Sequence, residues 1–455
     1  MSELSFFEIP NDFDEKIEKS KQIIETQKKH RKTYASESAL QLNTDQAFDF
    51  EKEKKLFLED LNFLKSLSVE EFTFRKKWEE IAYDCNEYVL QYASQAKARI
   101  WAPTDIDNEE LTIKEISELD PIVIVCNDES SERLWTTLRY FCSTAEFNQA
   151  PGRFIKFLTV DRKTQKVLGV MSIASDVISI SDRDSFIGWT SDDKLIHRML
   201  KYSAIGTTIV PTQPFGSNFL GGKLVAAMIT SDVVRNSWEF PDKGDSTPCK
   251  LVGMTTTSLY GNKIVTDESG NQIKKGGLSM YSSLKWWKQV GLSKGKIPIK
   301  TSEKTYKLWH QWLKQHRTDD YNKSMTHAAD KDVSGPVTGA KSRVLNMIFE
   351  EVGVKQSNFV HGFERGVYYS CFYENTKEFL QRKITEDQLK LKPLFARDVV
   401  AIVEWWKPKA IERYKKLKSE GRITREKLFY GDMRCNGRII SYEEAKNRYF
   451  SAVGR

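Results

Sequence analysis

The sequence predicts an α+β fold: a mixed-sheet core with a helical N-terminal arm and a mixed, basic C-terminal extension. Three observations predict it. Residues 1–110 show the hydrophobic spacing of helices, residues 119–180 are rich in short strand-like runs, and residues 207–291 alternate strand and helix patterns. With 455 residues, 40% of them hydrophobic, the chain is long enough for two or three domains.

Composition narrows the classes of protein to which the chain can belong. No apolar run reaches the ~18 residues of a membrane span, and the acidic start MSELSFFEIPNDFDEK lacks the basic and apolar regions of a signal peptide. The six cysteines contain no CxxC pair and the six histidines are dispersed, which is typical of buried thiols in a reducing compartment. We therefore expect a cytoplasmic protein with no metal site and no membrane span.

Shifts in composition along the chain predict four segments. Residues 1–110 form a helical arm suited to packing or to protein partners, and residues 119–316 form the core. The polar, turn-rich segment 317–340 predicts a linker or surface loop, and residues 341–455 a C-terminal extension. The tail is basic, since residues 391–455 hold 16 Lys and Arg against 8 Asp and Glu in a chain of net charge +7. Such a tail indicates a polyanion partner, with DNA the first candidate, or a solvated helix face.

Within the core, a hairpin is predicted over residues 153–180, in which the turn DRKTQK joins two strands. The elements predicted after it are a strand in FIGW (186–189), a strand in TTIVPTQP (207–214), a long helix over 218–240, a strand in CKLVGMTTT (249–257) and a helix over 278–291.

The junction between the strand at 207–214 and the following helix has the composition of an anion-binding loop. Prolines 211 and 214 lack N–H donors and end the sheet ladder, and Gly216 lets a ligand approach the backbone. Ser217 or Asn218 can cap the helix, whose first N–H groups then face an anion. A plain strand–turn–helix junction is the alternative. The residues expected to bind a cofactor are Gln213, Phe215, Gly216, Ser217, Asn218 and Phe219.

The segment QPFGSN at 213–218 resembles the acyl-CoA pyrophosphate loop of the GNAT acyltransferases, whose signature is R/Q-x-x-G-x-G/A between a strand and a helix. The order of the predicted elements around it is also similar to that family. The resemblance implies an acyl-CoA or related donor, and a tyrosine on the next helix that returns a proton to the thiolate. Tyr281 occupies the comparable place, with a tyrosine that packs on the sheet as the alternative. Asn218 stands where the family has Gly or Ala.

Three further motifs follow one another: RDSFIGW at 183–189, NFLGGKL at 218–224 and YSSLKWWKQVGLSKG at 281–295. In this order they resemble the DruA family of the Druantia anti-phage system, over residues 120–300. That family looks GNAT-like, as does the phage Mom group, which modifies adenine bases. The resemblance implies a role in the conflict between phage and bacterium, in the cytoplasm of a bacterial host, with DNA as the substrate or partner.

Polar and aromatic side chains outside the loop supply the remaining candidates. Asp184 is the candidate general base for an incoming amine, and Arg183 is suited to hold a phosphate, although an Arg–Asp pair that closes a strand end is the alternative. Trp189 is a candidate to stack on a base. Further candidates for binding nucleic acid or substrate lie in the C-terminal extension: His361, Arg365, Trp406, Lys407 and Arg413.

Two function hypotheses from different classes fit these residues. The first is a nucleic-acid-directed, GNAT-like acyltransferase that acts on or near a DNA base. The second is a non-catalytic anti-phage or nucleic-acid-binding module, which recruits protein partners through the helical arm. A DNA-binding protein of the transposase or recombinase kind is a third hypothesis, which clustered carboxylates near a groove would support.

Overall fold

A computed structural model describes residues 48–85, 87–145, 152–238, 249–259, 263–266, 272–275, 280–281, 283–293, 296–299, 301, 303–329, 338–362, 364–435 and 438–452. Residues 1–47 of the predicted arm lie outside this part of the chain.

The strands are β1 (Pro121–Val125), β2 (Phe154–Asp161), β3 (Val167–Ser175), β4 (Ser203–Pro211), β5 (Gly253–Ser258), β6 (Lys263–Thr266), β7 (Gln272–Lys275), β8 (Lys288–Ser293), β9 (Lys296–Pro298), β10 (Val360–Gly362), β11 (Arg365–Cys371), β12 (Arg434–Cys435) and β13 (Arg438–Ile439).

Helices occur before, between and after the strands in the described chain. They are α1 (Phe50–Ser66), α2 (Val69–Glu79), α3 (Glu87–Gln91), α4 (Ala93–Ala98), α5 (Glu109–Glu118), α6 (Glu129–Cys142), α7 (Ser181–Ile187), α8 (Ser191–Leu195), α9 (Phe215–Asn218), α10 (Gly221–Met228), α11 (Asp232–Ser237), α12 (Glu303–His316), α13 (Thr318–Ala329), α14 (Thr338–Val352), α15 (Thr376–Leu380), α16 (Pro393–Ala396), α17 (Asp398–Ser419) and α18 (Tyr442–Ala452). Mixed α+β architecture is therefore confirmed.

One seven-stranded sheet organises the molecule, in the order β1-β2-β3-β4-β5-β11-β8. All its neighbours are antiparallel except β4 and β5, which run parallel. The parallel pairing covers only three residues of each strand, from Ser203 opposite Gly253 to Ile205 opposite Thr255. Beyond that point β4 continues to Pro211 without β5 as its partner, so the two strands diverge.

Helices cover both faces of the sheet, as the strand sequences require. The side chains of β3 alternate between two hydrophobic clusters: Val170 packs with Trp135 of α6, and Met171 packs with Leu224 of α10. Eight consecutive residues of β3 are buried, because the strand is central and covered on both sides. The predicted hairpin at 153–180 is confirmed by the antiparallel β2–β3 pair.

The described part of the N-terminal arm is helical and packs on later segments of the chain. Phe57 of α1 lies 5.8 Å from the ring of Trp309 and 5.5 Å from that of Phe349, which belong to α12 and α14. Phe74 of α2 packs against Tyr449 of α18. Helices α1 and α2 are thus parts of hydrophobic clusters that the distant chain completes.

The C-terminal segment is integrated into the core. Strand β11 lies inside the sheet between β5 and β8. Helix α17 packs beside α10, where the indole nitrogen of the fully buried Trp406 donates a 2.8 Å hydrogen bond to the carbonyl of Phe219.

Four secondary-structure predictions were wrong. The run FIGW is not a strand, because Ile187 ends helix α7 and the indole of Trp189 hydrogen-bonds the backbone of Leu380. The long helix predicted over 218–240 is broken into α9, α10 and α11, with Leu220 in a left-handed conformation at one break. In the helix predicted over 278–291, the described residues 280–281 and 283–287 form turns and lead into β8 in place of a helix. The segment 317–340, predicted as a linker or loop, contains helix α13.

Helix α17 begins at a pair of carboxyl groups. The backbone N–H of Asp232, at the start of α11, donates to Oδ1 of Asp398 over 3.0 Å, and Nη1 of Arg235 lies 3.4 Å from the same oxygen. Burial, followed by a hydrogen bond with the Asp232 carboxyl, raises the pKa of Asp398 to about 6. The hydrogen bond to Asp398 lowers the pKa of Asp232. One proton is thus held at the junction of two helices.

The Asp398 carboxyl predicts a pH dependence of stability. The pKa of Asp398 is higher in the folded protein than in the unfolded chain, where an aspartate has its ordinary pKa of about 3.9, so its contribution to stability is fully present below that pH and is lost as the pH rises through about 6. We expect Asp398→Asn, which cannot ionise, to remove this loss from the free energy of unfolding measured by urea titration between about pH 4 and pH 7. Asp319→Asn, an exposed aspartate, is the control. A pH profile of Asp398→Asn parallel to that of the parent would contradict the assignment.

Candidate functional site

Polar side chains from four strands converge at one end of the sheet. Asp176 follows β3, Ser203 begins β4, and Thr255 and Tyr369 lie on β5 and β11. Oδ2 of Asp176 accepts hydrogen bonds from the hydroxyls of Ser203 (2.6 Å) and Thr255 (2.9 Å), and the Tyr369 hydroxyl lies 3.5 Å from that of Ser203. The antiparallel pairs β3–β4 and β5–β11 bring the end of one strand beside the start of its neighbour, and the parallel pair β4–β5 places two strand starts side by side, so these four residues meet.

Arg183 of α7 completes this cluster and is fully buried. Its guanidinium reaches Oδ1 of Asp176 at 2.7 Å and Oδ1 of Asp184 at 2.6 and 2.9 Å. The carbonyls of Val177 (2.8 Å) and Ile178 (3.4 Å) accept the remaining hydrogen bonds. A guanidinium has five N–H groups, so all the donors of Arg183 are directed to acceptors in the chain.

Asp184 is held between two cations. Its second oxygen, Oδ2, accepts a 2.5 Å hydrogen bond from Nζ of Lys194 in α8, and both side chains are buried. We call Asp176, Arg183, Asp184 and Lys194 the ion network. It contains two anions and two cations, so its net charge is zero, and it holds α7 and α8 against the strand ends.

Burial and ion pairing shift the pKa of Asp176 in opposite directions. Burial raises the pKa of Asp176, and Arg183 and the hydrogen bonds from Ser203 and Thr255 act in the opposite direction. Burial also raises the pKa of Tyr369 well above its ordinary value, so this hydroxyl stays protonated. Chemically, the network is suited to positioning helices: both oxygens of Asp184, the candidate base, already accept hydrogen bonds from cations.

The predicted loop lies at the opposite end of β4. Its backbone donors bond within the chain: Gly216 N–H to the carbonyl of Thr212 (2.8 Å), Ser217 N–H to Oε1 of Gln213 (3.0 Å), and Asn218 N–H to the carbonyl of Pro214 (3.2 Å). The Asn218 side chain is fully buried and exchanges two hydrogen bonds, of 2.7 and 3.0 Å, with the backbone of Thr424. A pyrophosphate at this loop would have to displace the internal acceptors.

Internal packing explains the glycine and the aromatics of the loop. A Cβ at residue 216 would lie 2.8 Å from Pro211 Cγ and from Gln213 Nε2, so neighbouring side chains occupy the space that the glycine leaves. Phe215 and Phe219 are fully buried and pack edge-on against Trp101, at 5.6 and 5.7 Å. These residues form part of the core that α17 covers.

The structure does not bring the loop and the ion network together. The loop follows Pro211, the last residue of β4, whereas the network contacts Ser203, the first. At ~3.3 Å per residue, the nine residues of β4 separate the two places by about 26 Å. Asp184 and the loop thus belong to different ends of the sheet.

Tyr281 lies where β4 and β5 diverge. Its hydroxyl is 3.4 Å from that of Thr256, which donates to the carbonyl of Gly206 over 3.1 Å. It lies in a turn and not on a helix, is buried, and packs 4.8 Å from the ring of Tyr368. Burial raises the pKa of Tyr281. The tyrosine fills the gap between the diverging strands, and its predicted role as an acid stays a prediction.

The other predicted contact residues are spread over the molecule. Trp189 is buried, with the Arg183 guanidinium 5.3 Å from its ring. Arg365 begins β11 at the sheet end away from the ion network, and burial lowers its pKa. His361 pairs through its backbone in β10, opposite Ile297. Trp406 is in the core, as described above.

The predicted contacts of the basic tail are used inside the protein. Nζ of Lys407 donates to the carbonyl of Ser117 over 2.8 Å. Arg413 is half-buried, and burial lowers its pKa. Neighbouring charges are paired as well, with Lys418 3.4 Å from Glu109 and Arg425 2.8 Å from Asp107. Lys418 and Arg425 are therefore paired with carboxylates in the body of the protein.

Sequence reasoning missed five members of the polar cluster and ion network: Asp176, Lys194, Ser203, Thr255 and Tyr369. Only one feature of the sequence could have pointed to this cluster: Asp176 directly follows the hydrophobic strand β3. In the described ranges, no group of three or more His, Cys, Asp or Glu side chains is placed to hold a metal ion. None of the described helices is long and apolar enough to span a membrane.

Fold and site together define a class: a mixed α+β protein with one seven-stranded sheet, whose strand ends are closed by a buried ion network. The sequence model described as Druantia protein DruA matches residues 88–382, more than half of the chain. The chain therefore belongs to the DruA family. This confirms the DruA resemblance, whereas the GNAT and Mom resemblances stay predictions.

One curated relative, Druantia protein DruA of Escherichia coli (strain UMEA 4076-1), is 25% identical over 283 residues. Those residues are 57% of this chain and 61% of the relative, so the chain spans about three fifths of the length of the curated relative that it matches. No solved structure matches the chain. The family match contains the ion network and the loop, and it ends before the basic tail.

The ion network predicts a strong coupling between Asp184 and Lys194. Asp184→Asn or Lys194→Met alone leaves a buried charge uncompensated, so we expect each to lower the free energy of unfolding by roughly 3–5 kcal/mol. The double variant keeps the network neutral, and we expect it to cost less than the sum of the single variants. Urea unfolding of the four proteins measures the coupling, with Asp192→Asn on α8 as an exposed control. Additive single effects would show that the pair is not coupled.

Proposed function

We propose that this DruA-family protein acts in anti-phage defence, and that it acts by binding a partner rather than by transferring an acyl group. The family match supports the defence role. One observation carries the binding role: the N–H groups of Arg183, both oxygens of Asp184 and the N–H groups of residues 216–218 are all bonded within the chain. Groups engaged in this way hold a surface in shape and are not free to act on a substrate.

Nucleic acid and other protein components of the defence system are the partner classes we propose. The net charge of +7 favours an anionic partner. The helical N-terminal arm is the proposed site for protein partners, because α1 and α2 lie outside the central sheet and α1 carries the exposed apolar side chains Leu56 and Phe63.

A plaque assay tests the binding role. In a bacterial host that carries the gene with its genomic neighbours, we expect Asp184→Asn to reduce protection in proportion to its loss of stability. The Asp184→Asn, Lys194→Met double variant should recover protection together with stability, because it restores neutrality in the network. The efficiency of plating and the melting temperature are measured on the same variants. A double variant that melts like the parent yet gives no protection would assign a chemical role to these side chains and would contradict the proposal.

Acyl transfer is the second candidate, and one observation favours it. Strands β4 and β5 diverge after three residue pairs, and β4 leads through a glycine-containing loop into α9 and α10. A donor would enter at this divergence, with the loop at its phosphate end and Tyr281 near the thioester. Occupation of the gap by Tyr281 and Thr256 argues against this candidate.

A titration of acetyl-CoA by calorimetry separates the two candidates. We expect no saturable binding, because the loop donors already have acceptors. Gly216→Ala and Gly222→Ala form a matched pair, since a Cβ meets Pro211 at 2.8 Å in the first case and has only ordinary contacts in the second. Saturable binding by the parent that only Gly216→Ala weakens, at unchanged melting temperature, would favour acyl transfer instead.

A further inference from the structure

Three lysines gather at the sheet end where β8 begins and β11 ends, and we call them the lysine triad: Lys288, Lys377 and Lys392. The ring of Phe186 joins two of them, because its centroid lies 3.6 Å from Nζ of Lys377 and 5.1 Å from Nζ of Lys288. The backbone N–H of Lys392 donates to the carbonyl of Phe372 over 3.0 Å, so the third lysine enters beside the end of β11. Three separate segments thus bring positive charge to one place.

The same three lysines are the charged neighbours that lower the pKa of the Cys371 thiol. Its thiol is half-buried at the end of β11. Burial raises its pKa, and Lys392, Lys377 and Lys288 act in the opposite direction, in that order. One thiol therefore lies within electrostatic reach of the whole triad.

Within the described chain, no salt bridge or side-chain hydrogen bond joins a carboxylate to any member of the triad. The nearby acidic side chains are Asp182, which lies over Gly291, and Glu378, which follows Lys377. This contrasts with the tail, where Lys418 and Arg425 are paired with Glu109 and Asp107. Like charges held close without a counter-ion repel one another, and a bound anion would remove that cost.

We infer that Lys288, Lys377 and Lys392 form a surface that binds the phosphate groups of a nucleic-acid backbone. This inference rests on the proposed function, because it names the chemistry of the partner. The cation–π contacts with Phe186 hold two ammonium groups in position before a ligand arrives. The three lysines come from β8, α15 and the segment before α16, so the fold and not one flexible segment places their charges together. Ammonium groups that neutralise backbone phosphates release counter-ions, so binding at this surface is strongly salt-dependent.

Fluorescence anisotropy with a labelled single-stranded DNA oligonucleotide, and with the same sequence as a duplex, tests the surface on the full chain. We expect Lys288→Gln combined with Lys377→Gln to weaken binding about tenfold or more at low salt. The slope of log Kobs against log salt should fall by about 2, or about 1 for each lost phosphate contact. Lys415→Gln combined with Lys416→Gln removes the same charge from the exposed face of the tail and should change neither quantity. Equal weakening by both pairs, or no change in the triad variant at unchanged melting temperature, would overturn the inference.

Two further measurements distinguish the alternatives: a competition with inorganic phosphate and an assay of protection against phage. Inorganic phosphate at constant ionic strength should leave the DNA complex largely intact, whereas displacement at low concentration would mean that the triad is a site for a small anion. Protection against phage, measured on the same variants, separates this inference from the proposed function. DNA binding through the triad without protection in the parent would contradict the proposed function alone. Protection with DNA binding that does not depend on the triad would contradict the inference alone.

Discussion

The buried guanidinium of Arg183 is the constraint on which the rest of this sheet end depends. A cation without exposed surface is tolerated only when anions and carbonyls satisfy it, and here these come from three segments. Asp176 directly follows β3, Asp184 belongs to α7, and the carbonyls of 177–178 lie in the loop between them. Satisfying one side chain therefore fixes the path of the chain from β3 to α8.

The sequence predicted those elements that depend on interactions between residues close together in the chain. The turn DRKTQK between two strand-like runs predicted the hairpin at 153–180, and helical spacing predicted the helices of the arm. Helix α7 was missed because its buried residues include Arg183 and Asp184, whose charges hide the apolar face that marks a helix. The order of the sheet could not be predicted either, because β11 enters between β5 and β8 from a distant part of the chain.

Site prediction failed to separate two uses of one motif. Proline, glycine and a capping residue after a strand suit a phosphate loop, and they equally suit a turn whose donors are satisfied within the chain. The internal acceptors that favour the turn, such as the carbonyl of Thr212 and the side chain of Gln213, cannot be recognised from the spacing of residues. The lysine triad escaped notice for a related reason, since its three members are distant in sequence and only the fold brings them together.

The position of β11 affects how the protein can fold during its synthesis on the ribosome. Among the described strands, β8 pairs in the central sheet with β11 alone, so it lacks that partner until residue 371 has been made. A nascent chain that has passed β8 therefore carries two open strand edges, on β5 and on β8, through the synthesis of the helices from α12 to α14. Completion of the sheet is a late event that closes both edges at once, and a shortened chain lacking β11 would emerge with its edges exposed to aggregation.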